Sequence, residues 1–102
     1  MEIFVNSGDR ETRGVNPETI QNEIRSALTR FEDRITRVEV HLKDVNGPKS
    51  GNDKQCTIEA RPAGMDPVVV TSDAEDLWSA ITDASRKLQR KLQSDFEKKR
   101  PH

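Results

Sequence analysis

Within two segments, from about Ile35 to Lys43 and from Lys54 to Arg61, apolar and polar residues alternate over 37–43 and 55–61. Val38, Val40 and Leu42 are interleaved with Arg37, Glu39, His41 and Lys43. Cys56, Ile58 and Ala60 are interleaved with Gln55, Thr57, Glu59 and Arg61. Successive strand side chains point to opposite faces, so this period of two predicts strands with one buried and one wet face. A sheet of that kind needs another layer over its apolar side.

Two helical patterns can supply that layer. Asn16-Pro17-Glu18 is a helix start: Asn can cap free N–H groups, Pro suits the first turn, and Glu complements the dipole. Ile20, Ile24, Ala27, Leu28 and Phe31 follow as one apolar stripe, predicting a helix that ends near Asp33. Further on, Ser72-Asp73-Ala74-Glu75 has the spacing of a capping box. Leu77, Ile81, Ala84, Leu88 and Leu92 then form the stripe of a long helix reaching Lys98.

Shorter segments complete the order. Glu2–Asn6 reads as a strand, with Ile3 and Val5 on one face and Phe4 on the other. Residues 7–15, with Gly8 and Gly14, read as a loop. Residues 46–53 form the most loop-like stretch and are expected to be mobile. Pro62–Asp66 makes a turn, and Pro67–Thr71 reads as an edge strand, where a proline is tolerated. The reading is an α+β domain over residues 1–99 with a frayed tail at 100–102. Its order is β-α-β-β-β-α, with a four-stranded antiparallel sheet and both helices on one face, similar to double-stranded-RNA-binding domains.

Composition narrows the function. The 102 residues are 34% charged and 31% hydrophobic, with four aromatics, enough for one modest core. No apolar run approaches a membrane span, and the N-terminal residues have no basic-then-apolar leader pattern. A soluble cytoplasmic protein is expected, with no membrane partner. The single Cys56 leaves no intrachain disulfide and no cysteine zinc site. It sits at a core strand position, where cysteine acts as an inert small hydrophobe.

Catalysis finds little support. His41 occupies a polar strand position and His102 the chain end. Asp73, Glu75 and Asp76 are explained by the start of the last helix, where carboxylates favour the dipole. No phosphate-binding glycine loop or nucleophile elbow is present. The expectation is a non-enzyme with no cofactor, no metal and no small-molecule substrate.

Charge is distributed unevenly. The net charge is −1, yet residues 1–85 carry 10 basic against 16 acidic side chains, and residues 86–100 carry seven against two. At 100° per residue, Lys87, Arg90, Lys91, Ser94 and Lys98 fall within about 50° of one line beside the core stripe. The result is a ridge ~16 Å long, flanked by Arg86. Cations at a helix end can simply complement its dipole. Like charges at i, i+4 (Lys87 with Lys91, Arg86 with Arg90) repel, however, which hints at an external anion. Such a ridge can meet several RNA phosphates by releasing counterions. Trp78 beside Leu77 can either seal the core edge or stack on a base.

Two segments carry a family resemblance. One is Phe31-Glu32-Asp33-Arg34-Ile35-Thr36-Arg37-Val38-Glu39-Val40-His41-Leu42. The other is Asp76-Leu77-Trp78-Ser79-Ala80-Ile81, continuing to Lys87-Leu88-Gln89-Arg90-Lys91-Leu92. Together they resemble the ribosome hibernation-promoting factor and ribosome-associated inhibitor family, also described as sigma-54 modulation proteins. The resemblance implies binding to the small ribosomal subunit and its 16S-type rRNA near the decoding region, blocking mRNA and tRNA sites when growth slows. It places Lys87 and Arg90 at the family's basic positions and Arg34 at the Arg of its "DRI" motif. Lys91 stands where the family usually has Gln and adds charge. Ile24 and Ala27 occupy positions where the family's first helix carries lysines, so the last helix is expected to dominate. The chain ends soon after that helix, as short family members do, which implies a monomer off the ribosome.

The expected RNA contacts are therefore Arg86, Lys87, Arg90, Lys91 and Lys98, with Arg34 secondary. The rival expectation is a protein-interaction module of the same fold, using the wet sheet face or the 46–53 loop.

Overall fold

The computed structural model describes residues 1–7, 15–44 and 53–98. Within them the order is β1 (Glu2–Ser7), α1 (Pro17–Ala27), a 3-10 helix (Thr29–Arg34), β2 (Ile35–Asp44), β3 (Lys54–Pro62), β4 (Val68–Ala74) and α2 (Leu77–Lys98). The 7–15 loop at residues 8–14, the 46–53 loop at residues 46–52 and the tail at 100–102 lie outside the described residues.

The strands form one sheet in the order β1-β2-β3-β4. It is mixed rather than antiparallel: β1 pairs parallel to β2, with Ile3 opposite Val38 and Val5 opposite Val40. The physical reason is the crossover. A helix between two neighbouring strands returns the chain to the end where it started, which makes the pair parallel. β2–β3 and β3–β4 are antiparallel, as the alternation predicts. A register shift between Ile35 and Arg37 accounts for the break in the alternation there. This irregularity brings Ile35, three residues before Val38, into the same core.

The inward residues of all four strands meet Ile20, Ile24, Leu28 and Phe31 from the first helical segment and the apolar stripe of α2. α1 lies against β1, and α2 lies against β3 and β4. Asn16 caps α1 through a 2.8 Å bond from Glu18 N–H to its Oδ1. The helix ends at Ala27, short of the Asp33 expectation, and its continuation tightens into the 3-10 helix. Leu28 and Phe31 stay buried through that change, so the apolar stripe outlasts the α-helix.

The end of β4 corrects a second expectation. Ser72 is not a helix cap but a buried strand residue, paired with Cys56 in the β3–β4 ladder. The ladder extends to Lys54 opposite Ala74, so strand pairing overrides the local capping pattern. α2 is capped by Asp76, which accepts from Ser79 N–H at 2.7 Å and from the Ser79 hydroxyl at 2.9 Å. These bonds hold the Asp76 carboxyl below its usual range. The turn before β4 places Gly64 at φ 74°, a left-handed conformation that favours glycine. Among the described residues, no helix is long and apolar enough to cross a membrane.

Candidate nucleic-acid interface

α2 buries Leu77, Ala80, Ile81, Ala84, Ser85, Leu88, Leu92 and Phe96. Arg86, Lys87, Arg90, Lys91 and Lys98 all lie outside this stripe and are exposed. Arg34, the last residue of the 3-10 helix, is exposed as well. Every residue picked out as an RNA contact is therefore accessible.

The ridge is not uniform. Lys87 Nζ donates to the Thr71 carbonyl at 2.9 Å and stands 3.7 Å from Asp83 Oδ2. Lys91 Nζ lies 3.1 Å from Asp95 Oδ1. Both carboxylates are i, i+4 partners of their lysines, so the pairing is legible in sequence spacing, although the charge count along the ridge passes over it. Arg86 and Arg90 have no ion-pair partner among the described residues, and by helical geometry they form the crest turned away from the core. Lys87, Lys91 and Lys98 lie nearer the edge of β4. Lys91, Asp95 and Lys98 line an open groove of about 630 Å³ with the Gly64–Val69 segment.

Asp83 anchors the paired side. The buried Ser72 hydroxyl donates to it at 2.6 Å. That bond is the main reason its carboxyl is held below the usual range, and the charges of Lys87 and Arg90 lower it further. The carboxylate stays ionised and restrains Lys87 across the edge of β4.

Arg34 sits elsewhere. Its guanidinium lies 3.8 Å above the centroid of Phe96, in the groove between the 3-10 helix and α2. Gln93 and Glu97, three and seven residues beyond Arg90 on the same helix face, line this groove with it, so Arg34 lies at the C-terminal end of the face that carries the Arg86–Arg90 crest rather than on the β4 side. Arg25 and Glu32 pair at 3.5 Å, and the Arg30 guanidinium lies 5.9 Å from the centre of the Phe31 ring. Trp78 keeps 40% of its surface exposed, so it does not wholly seal the core.

The buried Cys56 thiol is pushed up to about 12 by desolvation. His41 is half-buried on the outer sheet face. Gln55 donates to Asp73 at 3.0 Å across the β3–β4 pair. Among the described residues, no cluster of His, Cys, Asp and Glu has the makings of a metal site. The outer sheet face carries a charge network instead: Glu39 lies 3.6 Å from Arg37 and 4.0 Å from Arg61, which is 3.5 Å from Glu59.

A mixed sheet with two helices on one face and cations along the second helix defines an α+β fold with a basic flank. The family model described as Sigma 54 modulation protein / S30EA ribosomal protein matches residues 13–100, and the chain belongs to that family. Among solved structures, it is similar to a ribosomal subunit interface protein from Coxiella burnetii. That likeness has a TM-score of 0.68 and 14% identity over 95% of this chain and 99% of that one. It is also similar to the N-terminal domain of Thermus thermophilus Protein Y, with a TM-score of 0.60 and 18% identity over 91% and 93% of the two chains. At these identities the likeness is one of fold. No curated protein sequence matches the chain.

Proposed function

We propose that this protein is a ribosome-associated translation inhibitor of the hibernation type, acting in the cytoplasm under conditions of slow growth. It binds small-subunit rRNA near the decoding region and blocks the mRNA and tRNA sites by occupying them. The observation that carries this reading is the row of exposed cations on α2, in a chain that belongs to the Sigma 54 modulation / S30EA family. The description of the Coxiella relative as a ribosomal subunit interface protein supports the same partner.

Arg86 and Arg90 make the leading phosphate contacts, because neither is held in an ion pair among the described residues; Asp83 acts on Arg90 only through its more distant charge. Lys87, Lys91 and Lys98 contribute from the β4 side, and Arg34 from the neighbouring groove. Contacts of this kind position a protein on folded RNA by shape and backbone charge rather than by base sequence. Association should therefore weaken steeply as salt rises. Co-sedimentation with small subunits at low salt, lost as salt increases, is the expected result. Persistent absence from ribosomal fractions at low ionic strength contradicts it.

A second reading rests on the outer sheet face, where Phe4 and Val69 are exposed beside the charge network. It makes the protein a module for a protein partner. Recovery of that partner after nuclease treatment favours this reading, and nuclease-sensitive recovery favours the first.

A further inference from the structure

The 3-10 helix and the end of α2 flank a half-open cavity of about 130 Å³, lined by Arg30, Phe31, Arg34, Gln93, Phe96 and Glu97. Its floor is a pair of nearly buried rings: Phe31 and Phe96 lie 5.2 Å apart between centroids at 40°. Over them lie two guanidiniums, that of Arg34 3.8 Å above Phe96 and that of Arg30 5.9 Å from the centre of Phe31. Neither has a carboxylate partner among the described ion pairs. The acid in the lining, Glu97, is engaged by the side-chain amide of Gln93 at 3.3 Å. The backbone of Arg34 is fixed too, since its carbonyl accepts from Ala63 N–H at 2.8 Å.

The Arg34 guanidinium, stacked over Phe96, has one face covered and its in-plane N–H groups available, with Arg30 at the looser distance beside it. Those groups match a phosphate bidentately. Holding them in place before binding lowers the entropy lost when an anion arrives. The lysines of α2 differ, because Lys87 and Lys91 must leave Asp83 and Asp95 to reach one.

We infer that Arg30 and Arg34 hold a phosphate group of an RNA backbone in this cavity, beyond the C-terminal end of the Arg86–Arg90 crest. The inference rests on the RNA-binding reading above and adds Arg30, a residue that neither the charge pattern nor the family resemblance assigns. It extends the RNA footprint from the α2 crest to the 3-10 helix.

The test uses the intact, isotope-labelled protein in two arms. In the first, inorganic phosphate is titrated while the arginine Nε–Hε signals are followed. Shifts at Arg30 and Arg34 that exceed those at Arg37 and Arg61 are expected, and no selective shift overturns the site. In the second, small-subunit affinity is measured across a salt series for the wild type, Arg30→Gln and Arg34→Lys. Arg34→Lys keeps the charge and removes the planar fork. Arg30→Gln is expected to weaken binding ~tenfold and to lower the salt slope by about one, as loss of one phosphate contact does. Its melting temperature should hold. Wild-type affinity and slope in both variants, while Arg90→Glu still weakens binding, overturns the inference and leaves the general reading standing. Selective phosphate shifts in a protein that binds no subunits leave an anion site and overturn its assignment to RNA.

Discussion

The hydroxyl of Ser72 on β4 donates a 2.6 Å hydrogen bond to the carboxylate of Asp83 on α2. It joins a buried strand position to an exposed helix position, and Asp83 in turn faces Lys87 at 3.7 Å. The residue that resembles a helix cap in sequence thus restrains a basic side chain of the proposed RNA surface.

Replacing Ser72 by Ala removes that restraint. Hydrogen bonds to charged groups contribute more than neutral ones, but the half-exposed Asp83 can recover water. A loss of about 1 kcal/mol is expected in urea unfolding, together with a rise of the Asp83 pKa toward its ordinary value, followed by carboxyl NMR.

The same contact gives a pH dependence. Asp83 and Asp76 both titrate below their ordinary 3.8 in the native state. The unfolded chain therefore takes up these protons first as pH falls. Their stabilisation is complete above the ordinary carboxylate range and is lost as pH drops through the native values. Urea midpoints should decline on acidification below pH ~5, and the decline should be shallower in Ser72→Ala.

Cys56 works at the opposite end of the scale. Its native thiol ionises near 12 against 9.0 for an ordinary one, so above pH 9 the unfolded state loses a proton that the native state keeps. Stability should fall with pH in that window by up to about 1.4 kcal/mol per unit, and Cys56→Ala should remove this contribution. In the native protein near pH 8, alkylation of Cys56 should be slow and should become fast on denaturation.

Asp95 limits the availability of Lys91 through their 3.1 Å contact. Lys91 is exposed and Asp95 half-buried, and surface pairs contribute about 1 kcal/mol, so Asp95→Asn should tighten small-subunit binding ~fivefold at low salt. Unchanged or weaker binding in a filter assay would show that Lys91 does not touch RNA.

Much of the fold was legible because its signals are local. The alternation at 38–42 and 56–60 marked β2 and β3, and Asn16-Pro17 marked the start of α1. Expectations missed where long-range contacts decide. Ser72 has a cap's sequence context, but pairing with β3 keeps it in a strand. The parallel β1–β2 pair follows from the crossover through α1, a topological rule that strand periodicity does not express. At the candidate site, the exposure of the α2 cations followed from helical geometry, and the pairs Asp83–Lys87 and Asp95–Lys91 could have been read from i, i+4 spacing. The seat of Arg34 over Phe96 could not, because it depends on packing between segments about sixty residues apart in sequence.

The core side of α2 offers a contrast to its basic side. Leu88 is fully buried at the middle of the helix, so Leu88→Ala should cost about 2–5 kcal/mol of stability. Circular dichroism melts can measure that loss beside variants of the exposed face.

The most direct measurement of the central claim is small-subunit co-sedimentation across a salt series for the wild type and for Lys87→Glu/Arg90→Glu. The wild type should bind at low salt with a steep salt slope. The double variant should lose binding while retaining a cooperative melt, since neither side chain belongs to the core stripe. A double variant that binds with the wild-type affinity and slope would contradict the assignment of α2 as the RNA-binding surface.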